Sequence, residues 1–173
     1  MTAPDSALFR RAMGLFPTGV AVLSHGAGAA ARVITANSLT SVSLHPLLVL
    51  ISVRSDGRFR TGVEDAAGFA VHLLADDQEE LAALFAARDR PVGLAAQRRL
   101  GAHPGRDGGM VVPAALAGLD CTLERQYPGG DHTIFVGRVQ ALRIGDEDRS
   151  PLLFHRGRFA ALTLSADDRG NGS

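Results

Sequence analysis

The sequence predicts a mainly β protein, an antiparallel barrel with peripheral helices. Three observations carry that expectation. About seven short apolar or alternating runs have the length and composition of strands. Clusters of Gly, Pro, Asn and Asp separate them at hairpin-like intervals. Only two or three stretches carry helical periodicity, and all are short, so helices can flank a sheet but not replace it.

Along the chain, Pro4-Asp5-Ser6 predicts a helix start. Leu8, Ala12, Leu15 and Phe16 share a face, and Pro17 stops the helix. Thr18 to Ser24 and Arg32 to Asn37 read as two strands around a Gly-rich hairpin loop, His25 to Ala31. Ser38 to Pro46 reads as polar and irregular. The apolar run Leu47 to Val53 predicts a strand buried on both faces. Arg58 to Ala66 reads as a short helix, and Phe69 to Leu74 as a strand. A helix follows with Asp76 and Glu79 at capping-box spacing and Leu81, Leu84 and Phe85 on one face.

From Ala86 to Pro113 the pattern dissolves into Arg, Gly and Pro, as in an excursion or arm outside the core. Leu119, Cys121 and Leu123 then alternate with polar residues in a half-buried strand. Tyr127 to Gly130 reads as a loop, Thr133 to Ile144 as a long strand, and Pro151 to Phe154 and Arg158 to Leu164 as the closing pair. The expected organisation is one domain over 1–164 and a disordered tail over 165–173.

Composition narrows the function classes. The 173 residues suit a single domain with a real core, since 46% are hydrophobic. Eighteen basic and eighteen acidic residues cancel, which argues against a nucleic-acid partner. All the basic residues are Arg, which removes lysine chemistry. No apolar run is long enough for a membrane span, and no signal-type segment opens the chain, so a cytoplasmic protein is expected. The lone Cys121 and the scattered histidines predict neither disulfide nor metal. His72 sits in an apolar strand as a core residue would, and His25, His45 and His103 read as loop residues. There is no Rossmann fingerprint, Walker loop or nucleophile elbow.

Three polar constellations could carry chemistry. Thr35-Ala36-Asn37-Ser38, with Ser41-Val42-Ser43, offers uncharged donors suited to a heteroaromatic edge or a phosphate. The plainer reading is a Ser/Thr-rich turn bonded to its own backbone. Gly129-Gly130-Asp131-His132-Thr133 places a histidine at a strand start, where it could meet a carbonyl, a phosphate or a proton. The plainer reading is a surface hairpin. His155-Arg156-Gly157-Arg158 sets cations around a tight turn, as for a phosphate or simply for solvent.

Taken in order, these segments resemble the flavin reductase family, the small reductase components of two-component flavin-dependent monooxygenases. The resemblance rests on Phe16 to Val20, Thr35 to Ser43, Gly68 to Leu74 with Asp77-Gln78, Gly130 to Ile134 with Val136-Gly137, and Pro151 to Phe159. It implies an FMN-binding type of split β-barrel, a homodimer, and FMN or FAD with NADH or NADPH as co-substrate.

By the same resemblance, Thr35, Ala36, Asn37, Ser38, Ser41, Val42 and Ser43 should face the flavin. Ser55, Arg58, Arg60 and Thr61 should approach its phosphate. His132 should lie beside the nicotinamide as the catalytic residue, and His155, Arg156 and Arg158 should close the pocket edge. Where the family commonly has a Ser-Arg-Thr-like triplet, this chain reads Gly57-Arg58-Phe59.

The implied activity is hydride transfer from nicotinamide to flavin, with reduced flavin passed to a partner monooxygenase. Cofactor electronics drive such a step, so no triad is needed. Two other readings keep the barrel. In one, a tightly bound flavin oxidises or oxygenates an organic substrate. In the other, the protein binds flavin without catalysis.

Overall fold

The computed structural model describes residues 5–104 and 110–162. The tail expected over 165–173 lies outside the described residues, as do residues 105–109 of the expected excursion. In chain order the elements are α1 (Ser6–Gly14), β1 (Thr18–Gly19), β2 (Ala21–His25), β3 (Arg32–Ala36), β4 (Thr40–Leu44) and β5 (Leu47–Arg54). Then come α2 (Arg58–Asp65), β6 (Gly68–Leu73), α3 (Glu79–Ala86), α4 (Gly93–Arg99), β7 (His103–Pro104) and β8 (Met110–Val111). The chain continues through β9 (Ala117–Gly129), β10 (His132–Ile144), β11 (Leu152–His155) and β12 (Arg158–Ala161). The fold is mainly β and antiparallel, as the sequence predicts.

The main sheet has seven strands in the order β3-β2-β6-β9-β10-β5-β4. Its two edges, β3 and β4, are consecutive in the chain and joined only by residues 37–39. Seven strands laid flat would span about 29 Å, whereas four Cα steps reach at most about 15 Å. The sheet therefore curls strongly enough to bring its two edges within that reach. Ahead of β4, Ser38 prolongs the pairing with β5: its hydroxyl donates to the Ser52 carbonyl oxygen at 2.8 Å and accepts from the Ser52 N–H at 3.1 Å. A second sheet, β1-β11-β12, leans on the start of β2, where the Val20 N–H donates to the Leu152 carbonyl at 3.0 Å.

Two apolar clusters meet at β2. Leu23, Ile51, Val71 and Phe135 fill the barrel interior. Val22, Val33, Phe85 and Met110 pack the outer face of β2 and β3 under α3 and α4. The strands buried on both faces are thus β2 and β6, not β5. In β5, Val49, Ile51 and Val53 point inward and are buried, while Leu48, Leu50 and Ser52 are half-buried on the outer face. Helix α3 packs on the outer face of β2, whereas α2 meets β5 through the interior cluster, where Phe59 and Val63 join Ile51 and Val53, so an apolar run alone does not tell which strand is sandwiched.

Three further expectations change. Residues 40–44 form the edge strand β4 and not an irregular stretch, because pairing with β5 supplies the ladder that their polarity hid. His25 closes β2, not a loop, and is buried. The segment after α3 joins the core: Ala96, Leu100, Met110 and Val112 are buried, although too far apart to show a period.

Candidate functional site

A cleft of about 1100 Å³ opens between the chain leaving β3 and the tip of the β9–β10 hairpin. Its two walls come from different causes. The first wall is the chain leaving β3: Thr35, Ala36, Asn37 and Ser38. Their side chains are already bonded. Thr35 Oγ1 donates to the Ala82 carbonyl of α3 at 2.7 Å. Asn37 Nδ2 donates to Thr18 Oγ1 at 3.1 Å, and Ser38 is tied to β5. This wall is neutral and fixed, and what it offers a ligand is backbone and the remaining amide oxygen of Asn37.

The second wall is charged. Gly130, at φ 74°, lets the chain turn in two residues and start β10 at His132. His132 pairs across the ladder with Arg54, the last residue of β5. The turn after β5 docks on the hairpin tip: the Ser55 N–H donates to the Asp131 carbonyl at 3.0 Å, and the Ser55 and Thr133 hydroxyls lie 3.0 Å apart. His132 Nδ1 lies 2.8 Å from Asp131 Oδ1. That hydrogen bond, then the imidazole's charge, hold the Asp131 carboxyl below the usual carboxylate range. Arg54 grips Asp56 through two bonds of 3.0 and 2.8 Å, which lower the Asp56 carboxyl in the same way.

Apolar rings and chains close the remaining sides, with Phe59 and Phe85 from within and Phe9 and Met13 from α1. Two cations from the turn after α3, Arg88 and Arg90, complete the rim. No sequence signal pointed to Arg54, Arg88 or Arg90, whereas Asp56 falls within the segment Ser55 to Thr61 that the resemblance brings to the flavin phosphate. Arg88 and Arg90 sit in a stretch without periodicity, and the docking of α3 on β3, by the Thr35–Ala82 bond and the packing of Ala82 and Phe85 with Val33, carries their turn to the cleft.

The structure brings Thr35, Ala36, Asn37, Ser38 and His132 together and places the other predicted site residues elsewhere. Ser41, Val42 and Ser43 lie on the edge strand β4 outside the cleft, with the Ser43 hydroxyl accepting from the His45 N–H at 3.2 Å. Ser55 braces the hairpin tip from behind the cleft lining. Arg60 pairs with Glu64 along α2 at 2.8 Å. Arg58 and Thr61 line a different hollow with His25, because they project from the opposite side of α2 to Gly57 and Phe59. His155, Arg156 and Arg158 form the β11–β12 hairpin, whose Arg156 N–H donates to the Gly14 carbonyl of α1 at 2.9 Å.

The remaining buried histidines are held neutral. His72 Nε2 lies 2.9 Å from the Ser24 hydroxyl, and burial, then the charge of Arg143, push its pKa down to about 4. His25 packs at a tilt of 57° against Phe59 with centroids 4.9 Å apart, and burial, then Arg32, push it down to about 4 against the pull of Asp65. Among the described residues no cluster of His, Cys, Asp or Glu is placed to hold a metal ion.

A curled antiparallel sheet with a roomy cleft, lined by a neutral wall and a carboxylate-paired histidine, suits cofactor chemistry on planar ligands. The cleft exceeds the usual ligand pocket of roughly 300–1,000 Å³, so two stacked rings have room. Residues 13–163 match the flavin reductase like domain, and the chain belongs to that family. It is a flavin reductase, an enzyme that moves a hydride from a reduced nicotinamide to a flavin.

It is 45% identical over 161 residues to an NADH-dependent FMN reductase of Streptomyces nodosus subsp. asukaensis, covering 93% of this chain and 87% of that one. The solved flavin reductase component of a bacterial two-component tryptophan halogenase superposes with a TM-score of 0.86 at 38% identity, covering 93% of this chain and 100% of that one. An NADH:FAD oxidoreductase of Streptomyces globisporus C-1027, solved with NAD and FAD fragments, gives a TM-score of 0.86 at 37% identity, covering 96% of this chain and 99% of that one.

Proposed function

We propose that this chain uses NADH to reduce an exchangeable flavin, FMN or FAD, and releases the reduced flavin to a partner flavin-dependent monooxygenase. The observation that carries the reading is the single cleft in which Thr35 to Ser38 face His132. The nicotinamide, when bound, supplies a hydride, and the flavin ring accepts it.

The chain's own residues orient and exclude. The stitched wall at Thr35 to Ser38 presents backbone donors that cannot swing away, since Ser38 and Thr35 are tied to β5 and α3. With Nδ1 donating to Asp131, His132 keeps Nε2 as the atom that accepts a proton when the ring is neutral and donates one when it is charged. Phe9 and Met13 of α1 shield one side of the cleft from water. The half-open site and neutral donors favour release over tight retention.

The working unit is a homodimer in this reading. Helix α1 buries none of its residues, and Leu15, Phe16, Val42, Leu44 and Leu47 stand exposed on α1, its C-terminal end and the β4–β5 edge, an apolar surface suited to a second copy. Among the described residues no helix is long and apolar enough to cross a membrane, and the cytoplasm, where reduced nicotinamide is available, is the proposed compartment.

The test mixes purified protein with NADH or NADPH and follows nicotinamide oxidation as FMN, FAD or riboflavin is added. NADH consumption that saturates with flavin is expected, with NADPH slower. No consumption above the protein-free rate with any flavin would sink the reading.

A further inference from the structure

We infer that the cationic face made by α1 and the β11–β12 hairpin docks an acidic protein surface, that of the monooxygenase which takes the reduced flavin; the choice of occupant rests on the flavin reading above. Arg10 and Arg11 of α1 share a hollow of about 560 Å³ with Arg156 and Gly157 of the hairpin. Arg156 and Arg158 share a second hollow, of about 520 Å³, with His155. Among the described residues no carboxylate lines either one.

The chain as a whole balances 18 basic residues against 18 acidic ones, so this gathering of one sign is local. Elsewhere Arg54, Arg60, Arg138 and Arg149 hold carboxylates. Among the described residues Arg10, Arg11, Arg156 and Arg158 have no side-chain hydrogen bond or ion pair, and all four are exposed.

Arg156 supplies a second, independent observation. It stands at φ 51° ahead of Gly157 at φ 78°, in a two-residue hairpin turn that needs the left-handed region at both positions. Glycine or asparagine is the unstrained choice there, and an arginine strains the backbone without gaining a local side-chain bond. Its N–H donates to the Gly14 carbonyl at 2.9 Å, which pins the hairpin to the end of α1 and sets the arginines of both elements on one face.

Charge and shape choose the occupant. The arginines spread over two exposed hollows and two elements, whereas a clamp for one phosphate converges on a point. Arginine is also among the residues enriched at protein interfaces. Leu15 lines the first hollow and joins this face to the apolar surface read above as the subunit interface. A second copy does not suit the arginines themselves, since a two-fold contact sets a surface against itself near its axis and like charges would meet there. Phe9 and Met13 of the same helix line the flavin cleft, so a protein seated on Arg10 and Arg11 stands within about 10 Å, one helix diameter, of that cleft.

The test follows the fluorescence anisotropy of a fluorescein-labelled oligoglutamate titrated with the full chain at low ionic strength. Arg10→Gln/Arg11→Gln and Arg156→Asn/Arg158→Gln should each weaken binding about tenfold, and added salt should weaken the wild type towards them. Arg98→Gln/Arg99→Gln, which removes the same charge from exposed positions of α4, should leave binding nearly unchanged. Arg156→Asn alone should hold or raise the melting temperature, because asparagine tolerates positive φ, and should leave NADH oxidation with FMN as it was.

Equal weakening by the α4 variant would mean that net charge alone draws the peptide, and overturns the docking face. Inorganic tripolyphosphate bound as tightly as the peptide would make the arginines a phosphate site, and a changed oligomeric state in either double variant would make them part of the subunit interface; each result overturns the inference. A wild-type chain that reduces flavin but holds no oligoglutamate overturns the docking face alone. One that holds the peptide but reduces no flavin takes down the flavin reading, and the monooxygenase as occupant with it.

Discussion

The tip of the β9–β10 hairpin and the buried crossing of β2 with β6 each hold a histidine, and they treat it in opposite ways. At the tip, His132 is 39% exposed in its side chain and hydrogen-bonded to the Asp131 carboxylate. At the crossing, His72 is 2% exposed and bonded to the neutral Ser24 hydroxyl, with the Arg143 charge nearby. His25, at the end of the same β2, is buried against Phe59 and near Arg32. The residue type is the same; exposure decides whether it can reach a ligand, and burial keeps the other two neutral. The tip is equipped for chemistry, and the crossing for holding strands together.

The comparison breaks most visibly in acid. In the folded chain His72 and His25 stay neutral down to about pH 4, whereas in the unfolded chain they protonate near 6.5. Between those limits the unfolded state binds more protons, so stability falls as pH falls from about 6.5 to about 4. Burial of His72 alone is worth about 3 kcal/mol over that window. Urea unfolding at a series of pH values measures it, and His72→Gln should flatten the decline. An unchanged decline would mean that the crossing does not set acid stability.

Next comes the His25 side of β2. A Cβ added at Gly62 would overlap the His25 ring, which packs directly on that helical turn. Gly62→Ala should cost about 1–3 kcal/mol, read as a lowered melting temperature, because the ring and α2 cannot both stay. A neutral result would show that the junction is loose.

At the tip the effects move from stability to rate. His132→Ala should lower NADH turnover roughly tenfold while leaving the melting temperature and riboflavin affinity where they were. If riboflavin binding collapsed instead, His132 would belong to the flavin's own wall. The smallest effect is expected for Asp131→Asn, a loss of a few-fold in turnover, since the ring remains but loses the partner that fixes its orientation. Recovery in Asp131→Glu and none in Asp131→Ala would mark positioning; equal loss in all three would discard that role.

Much of this was legible in the chain. The alternation at Leu119 to Leu123 gave β9, Gly130 marked the hairpin turn, and Asp5 caps α1 through the Leu8 N–H at 2.7 Å where Pro4-Asp5-Ser6 predicted the start. The segments Thr35 to Ser38 and Gly130 to Thr133 were singled out, and the structure sets them on facing walls. The strand β4 stayed hidden because Thr40, Ser41 and Ser43 carry no apolar period, and an edge strand can form on backbone bonds alone. Two-sided burial was assigned to β5 when it belongs to β2 and β6, because apolar content does not report what lies on the far face. Arg58 and Thr61 share a helix with Phe59 but point away from the cleft that Phe59 lines.

By itself the sequence determined the mainly β, antiparallel class, most turns and the family, since these follow from local periodicity, turn chemistry and ordered motifs; it expected about seven strands where the described residues form twelve. Only the tertiary structure decided which cations face the cleft, which histidines are buried, and that the sheet curls until β3 and β4 are joined by three residues. Those outcomes depend on contacts between residues far apart in the chain, such as Thr35 with Ala82 and Arg54 with His132, and no local pattern encodes them.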